Sequence, residues 1–217
     1  MQPCGHSSFM EEIVPQIFHW TAFHEEIGQE VHSYCVTGLG PAILIDPMVP
    51  ADGLGWFRRH AKPKHIYLTN RLHYRGSARF VEDFGATVWC HSAGLHEFGP
   101  GQGVRGFEHG DQLPGGILAL KVDALCPEET ALLIPTGAGA LALGDAVIRE
   151  NEHLEFVPDS LMGEDPQAVK RGLRSALRAV LEHRFEHLLL AHGRPFVTGG
   201  KEALRQVARV GVAAHHR

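Results

Sequence analysis

Residues 65–76 read HIYLTNRLHYRG, and the two halves of this stretch behave differently. HIYLT is a compact apolar run of strand length. NRLHYR is polar, and Arg71 with Arg75 makes it locally basic. Beyond it, Phe80, Val81 and Phe84 recur at helical spacing, and Gly85 stands where a left-handed residue ends a helix. One helix over 71–84 is therefore predicted. The next strand is TVWC, residues 87–90.

Working outward, AILID at 42–46 is another buried strand that stops at Asp46-Pro47, and residues 16–20 and 31–37 form short opening strands. Ser92 caps a short helix carrying Leu95 and Phe98. GPGQGVRG at 99–106 contains a formal G-x-G-x-x-G. No strand leads into it and no helix opens from it, so it reads as a connection rather than a dinucleotide site. His109-Gly110-Asp111 reads as a turn. Residues 117–122, 131–135 and 141–144 are short strands separated by turn residues, the pattern of an antiparallel meander. Asp165 and Pro166 then form a favoured cap and first-turn pair. Val169, Leu173, Leu177, Val180 and Leu181 line one face of the helix that follows. EHLLLA at 186–191 is a strand ending at His192-Gly193, and an amphipathic helix over 201–210 comes last.

With 217 residues, no internal repeat and no linker, the chain reads as one domain, 1–217. Apolar residues make up 44% and charged residues 21%, the balance of a globular protein with its own core. A net charge of −5 gives no global field for nucleic acid or an anionic membrane. No run approaches the roughly 20 apolar residues of a membrane span. Cys4, Cys35, Cys90 and Cys126 are scattered, form no C-x-x-C pair, and residues 1–9 lack the basic-then-apolar pattern of a leader. A cytoplasmic protein with reduced thiols is expected. Nothing in the sequence fixes an oligomeric state.

Taken in order, AILIDP, HIYLT with its loop and helix, VWCHS, ALALGDAV and LLLAHG resemble the landmarks of the metallo-β-lactamase superfamily, over nearly the whole chain. The resemblance implies an α+β fold, a four-layer αββα sandwich. It also implies two metal ions held by an H-x-H-x-D-H loop after the threonine, a later histidine, the aspartate of G-D and the histidine of the final H-G. This chain departs from that pattern. Aligned on Thr69 and Gly76, the ligand places hold Asn70, Leu72, Tyr74 and Arg75, and the later histidine place falls at Leu125 or Cys126. Leucine has no donor and arginine stays protonated. Asp145 and His192 keep the family's residue types, as does Asp46 behind them.

The leading expectation is thus a superfamily member without the dinuclear zinc centre, with no cofactor, that binds a small anion at Asn70, Arg71, Tyr74 and Arg75. Arg75 is expected to replace the lost ion by pairing directly with Asp145. The alternative is a shifted site in which His73, Asp145 and His192 hold one zinc or iron ion and hydrolyse an ester, thioester or phosphoester. Two further readings are a structural His192 held by Asp145 or Asp46, and an activated Cys126 thiol. His91 and His96 are placed near the cleft rim without ligand spacing.

Overall fold

The computed structural model describes residues 10–209. Seven strands form the first sheet in sequential order: β1 (Glu11–Val14), β2 (Ile17–His24), β3 (Gln29–Val36), β4 (Ala42–Ile45), β5 (Pro63–Tyr67), β6 (Thr87–His91) and β7 (Arg105–Phe107). Pairing is antiparallel from β1 to β4 and parallel from β4 to β7. The second sheet uses β8 (Gln112–Leu113), β9 (Ile117–Lys121), β10 (Thr130–Ile134) and β11 (Ala140–Leu143). A separate hairpin follows, β12 (Ile148–Glu150) with β13 (His153–Glu155), before β14 (His187–Leu190) closes the second sheet in the order β14-β11-β10-β9-β8. Helices α1 (Gly55–His60) and α2 (Ser77–Phe84) belong to the first half, α3 (Pro166–Val180) and α4 (Gly200–Arg209) to the second.

Side-chain alternation builds the layers. Along β4 all four residues are buried, but they face opposite ways. Ile43 and Ile45 meet Leu132, Ile134 and Leu189 of the other sheet in the central core. Leu44 turns outward, with Ile66 and Leu68, onto Phe57 of α1 and Phe80 of α2. The second sheet repeats the scheme: Leu141, Leu143, Leu188 and Leu190 pack on Leu173, Leu177 and Val180 of α3 and Leu204 of α4. The result is the expected αββα sandwich. α3 begins as predicted, with the Asp165 carboxylate accepting from Ala168 N at 2.8 Å and Pro166 in the first turn.

The predicted helix over 71–84 is two elements. Residues Arg71–Tyr74 form a single 3₁₀ turn, capped by the Asn70 side chain, which accepts from Leu72 N. Arg75 then adopts φ +42°, and α2 starts only at Ser77. The break has a packing cause at Gly76, where a Cβ would lie 2.8 Å from Val49 N. The chain has to pass close against the loop that leaves β4, and only glycine fits. The pattern reading also missed β1, β7, α1 and the β12–β13 hairpin, all of six residues or fewer. The loop after Phe98 and the turn at His109–Asp111 are as read. No described helix is long and apolar enough to cross a membrane. His215, His216 and Cys4 lie outside the described residues.

Candidate metal centre

Four strand ends deliver the site to one edge of the sandwich. β4 ends at Asp46, β5 leads into the 69–75 loop, β11 into Asp145, and β14 into His192. Asp46 is 2% exposed and, like Arg75, is held at positive φ (+46°). Such a conformation costs a non-glycine residue on the order of 1 kcal/mol or more, so two of them flanking one cleft mark a place the surrounding structure overdetermines.

Asp46 organises the inner side. Its Oδ1 accepts from Thr69 N at 2.9 Å, and its Oδ2 accepts from Thr69 Oγ1 at 2.6 Å and from His73 Nδ1 at 2.9 Å. With Nδ1 engaged, His73 turns Nε2 toward Asp145 Oδ1, 3.1 Å away. His192 Nε2 lies 3.0 Å from the same oxygen. One ligand-type atom from each of His73, Asp145 and His192 falls within 4.8 Å of the others. Sequence reasoning named this trio, and the fold brings it together.

Charge reinforces the geometry. Burial and the Arg75 guanidinium depress the His73 imidazole, but Asp145 and Asp46 outweigh them and raise it to about 9. Burial opposes ionisation of Asp46, yet His73 and Arg75 hold its carboxyl below the ordinary range. Asp145 is likewise held well below that range against its burial, by His73 and His192. Without an ion, then, His73 is an imidazolium between two carboxylates.

The anion-binding set fares unevenly. Arg71 is committed to Glu128 and, at 3.5 Å, to Glu97. Tyr74 packs beside Phe98, with ring centroids 5.7 Å apart. Asn70 is turned inward, donating to Asp145 Oδ2 at 3.0 Å and Glu129 Oε2 at 3.1 Å. Arg75 keeps its head group in the cleft and, among the described residues, forms no ion pair with a carboxylate. The expected Arg75–Asp145 ion pair does not form. Both Asp145 oxygens are already engaged, so Arg75 Nη1 goes to the carbonyls of Asp46 (3.3 Å) and His32 (3.5 Å), and Nη2 lies 3.4 Å from His192 Nε2.

Two other expectations change. Leu125 packs with the outer helices, and Cys126 is no activated nucleophile: burial, then Glu129 and Glu128, push its thiol up, away from the thiolate. The residue that reaches the cluster from this segment is Glu129, which sequence reasoning missed. It is fully buried, and burial with the neighbouring Asp145 charge lifts its carboxyl to about 8. The available signal was Glu128-Glu129 standing at the head of the apolar run TALLI, where a charged pair has no ordinary reason to be buried. His91 accepts from Ala93 N and His96 contacts Ala93 O, so both serve the local turn.

The donor set fits one divalent ion. Two imidazoles and a carboxylate suit zinc or iron with positions left open, and Asp46 behind His73 supplies the carboxylate–histidine support typical of metal ligands. The other ligand places of the family pattern are filled differently. Leu72 is 58% exposed, Tyr74 faces Phe98, and Arg75 brings a positive charge to where further ligands would be needed.

No protein-family model matches the sequence, and no curated protein matches it either. Solved structures do match. A β-lactamase domain protein from Burkholderia ambifaria superposes with a TM-score of 0.66 at 15% identity, over 95% of this chain and 77% of its own. TTHA1623, solved in a di-iron-bound form, gives 0.64 at 25% identity, over 80% and 92%. A B3 metallo-β-lactamase with an active-site glutamic acid gives 0.61 at 15%, over 88% and 84%. With the αββα layers described above, these show that the chain has the metallo-β-lactamase fold.

Proposed function

We propose that this chain is a hydrolase built on one divalent metal ion, zinc or iron, held by His73, Asp145 and His192, and that it acts on an anionic ester, thioester or phosphoester. The observation that carries the reading is the convergence of three ligand-type atoms within 4.8 Å, backed by Asp46 on His73. The di-iron-bound neighbour supports a metal in this fold. The reading reverses the order of the sequence-based expectations, in which the metal-free anion binder came first.

A divalent ion bound there would supply Lewis acidity and lower the pKa of a water. The protein's own groups do the rest. Asp46 fixes the His73 ring so that Nε2 faces the cleft. Asn70 holds one oxygen of Asp145 and leaves the other to the cluster. Arg75, which forms no ion pair with a carboxylate among the described residues, is the cation positioned to take a carboxylate or phosphoryl group of the substrate.

A second reading keeps the cleft metal-free and anion-binding. It is favoured by the His73 imidazolium, which already satisfies Asp46 and Asp145. Metal analysis of untagged protein separates the two. The proposal predicts close to one zinc or iron per chain, lost in His192→Ala; well under one ion in the wild type would favour the second reading.

A further inference from the structure

Asp145 has two oxygens, and the cleft receives only one of them. Oδ1 faces His73 and His192, whereas Oδ2 accepts from Asn70 Nδ2. What holds Asn70 in that orientation decides which oxygen is offered. Its Oδ1 accepts from Leu72 N at 2.9 Å, and its Nδ2 donates to both Asp145 and Glu129. Flipping the amide would set an oxygen against two carboxyl groups and an NH₂ against a backbone N–H.

Glu129 completes the arrangement from behind. Its Oε2 accepts from Asn70, and its Oε1 accepts from Ala146 N at 3.0 Å, the backbone next to Asp145. One fully buried carboxyl group therefore grips both the amide that holds Asp145 and the chain that carries it. Burying that group is costly unless both oxygens are used, as they are here. Gly144 makes room for it. A Cβ at Gly144 would lie 2.8 Å from Glu129 Oε1 and 2.5 Å from Thr69 Oγ1, so glycine lets both side chains close behind Asp145.

We propose that Glu129 is a positioning residue: through Asn70 and Ala146 it sets Asp145 to present a single oxygen, Oδ1, to the metal cleft. The consequence is a one-oxygen carboxylate ligand that leaves coordination positions free for substrate. The proposal rests on the reading of His73, Asp145 and His192 as ligands, and its test reports on each separately.

The experiment has two arms on the full chain: wild type, Glu129→Gln, Asn70→Ala and the double variant, with Gly144→Ala as an independent way to press on Glu129. The first arm titrates Co²⁺ and records affinity and visible spectrum. The second records the side-chain ¹⁵N signals of His73 and His192 in metal-free protein. Glutamine keeps the size of Glu129 but can accept through only one of the two atoms. Glu129→Gln should weaken Co²⁺ binding about 10–100-fold, alter the spectrum and shift both ring signals. Because Glu129 acts partly through Asn70 and partly through Ala146, the loss in the double variant should be smaller than the sum of the two single losses. Gly144→Ala should change affinity and ring signals in the same direction, and it carries the test should Glu129→Gln not fold. Unchanged affinity, spectrum and ring signals in Glu129→Gln, or losses that simply add in the double variant, would overturn the proposal. Wild type that takes no Co²⁺ while Glu129→Gln still shifts the ring signals would sink the metal reading and uphold the positioning role. No Co²⁺ and no shift would sink both.

Discussion

At the scale of single residues, the site is decided by where buried charges find partners. Asp46 shows this most clearly, since a 2% exposed carboxylate accepts from Thr69 twice and from His73 once. Asp46→Asn removes the charge that fixes the His73 ring, and should weaken divalent-metal binding about 10–100-fold by calorimetry while the chain stays folded. A second residue-scale prediction concerns acid stability. His19 Nε2 and His32 Nδ1 lie 2.8 Å apart in stacked rings. Burial, with the charges of His19, His192, Arg194 and Arg75 facing it, lowers His32 to about 3; burial and Arg194 lower His19 to about 4. Unfolded histidines bind protons near pH 6.5, so the unfolded state gains protons that the native pair refuses. Stability contributed by the pair is complete above pH 6.5 and is lost as pH falls toward 3. Melting curves of His32→Gln should show a smaller fall in Tm between pH 7 and pH 4 than the wild type; an equal fall would refute it. The trio of His73, Asp145 and His192 was legible in the sequence because Asp145 and His192 keep the types of the family pattern and His73 stands one place from one of its ligand positions. Glu129 was not, because which residue of a loop reaches a cluster 16 positions from Asp145 depends on the sheet register that spacing does not encode.

At the scale of elements, the break between the 3₁₀ turn and α2 sets the cleft. The 69–75 loop doubles back instead of continuing as a helix, and this points His73 inward while Leu72 faces solvent. Apolar periodicity over Phe80, Val81 and Phe84 located α2 but extended it too far back. The stop comes from a tertiary contact, Gly76 N donating to Pro47 O at 2.9 Å with no room for a side chain. Gly76→Ala should therefore destabilise by about 1–3 kcal/mol in denaturant titration and weaken metal binding with it, since the same contact carries the His73 loop. A loss of stability with unchanged metal affinity would uncouple the two. The long elements were readable because they carry their own signals, the Asp165–Pro166 cap for α3 and unbroken apolar runs for β4 and β14. The short β12–β13 hairpin has only Ile148 and Leu154 as partly buried apolar residues and so leaves little pattern to read.

At the scale of the molecule, two sheets with helices outside leave one edge where strand ends from both halves meet, Asp46 and His73 from the first and Glu129, Asp145 and His192 from the second. The layers were expected from the order of the elements and from the resemblance together. The sequence also pointed to a damaged ligand set, and the proposal of a one-ion site is supported by the convergence of His73, Asp145 and His192, with Arg75 Nη2 3.4 Å from His192 Nε2. Anomalous diffraction from crystals of the untagged chain soaked in zinc tests this most directly. The account predicts one peak in the cleft, within bonding distance of His73, Asp145 and His192. Two peaks there, or none with zinc bound elsewhere, would contradict it.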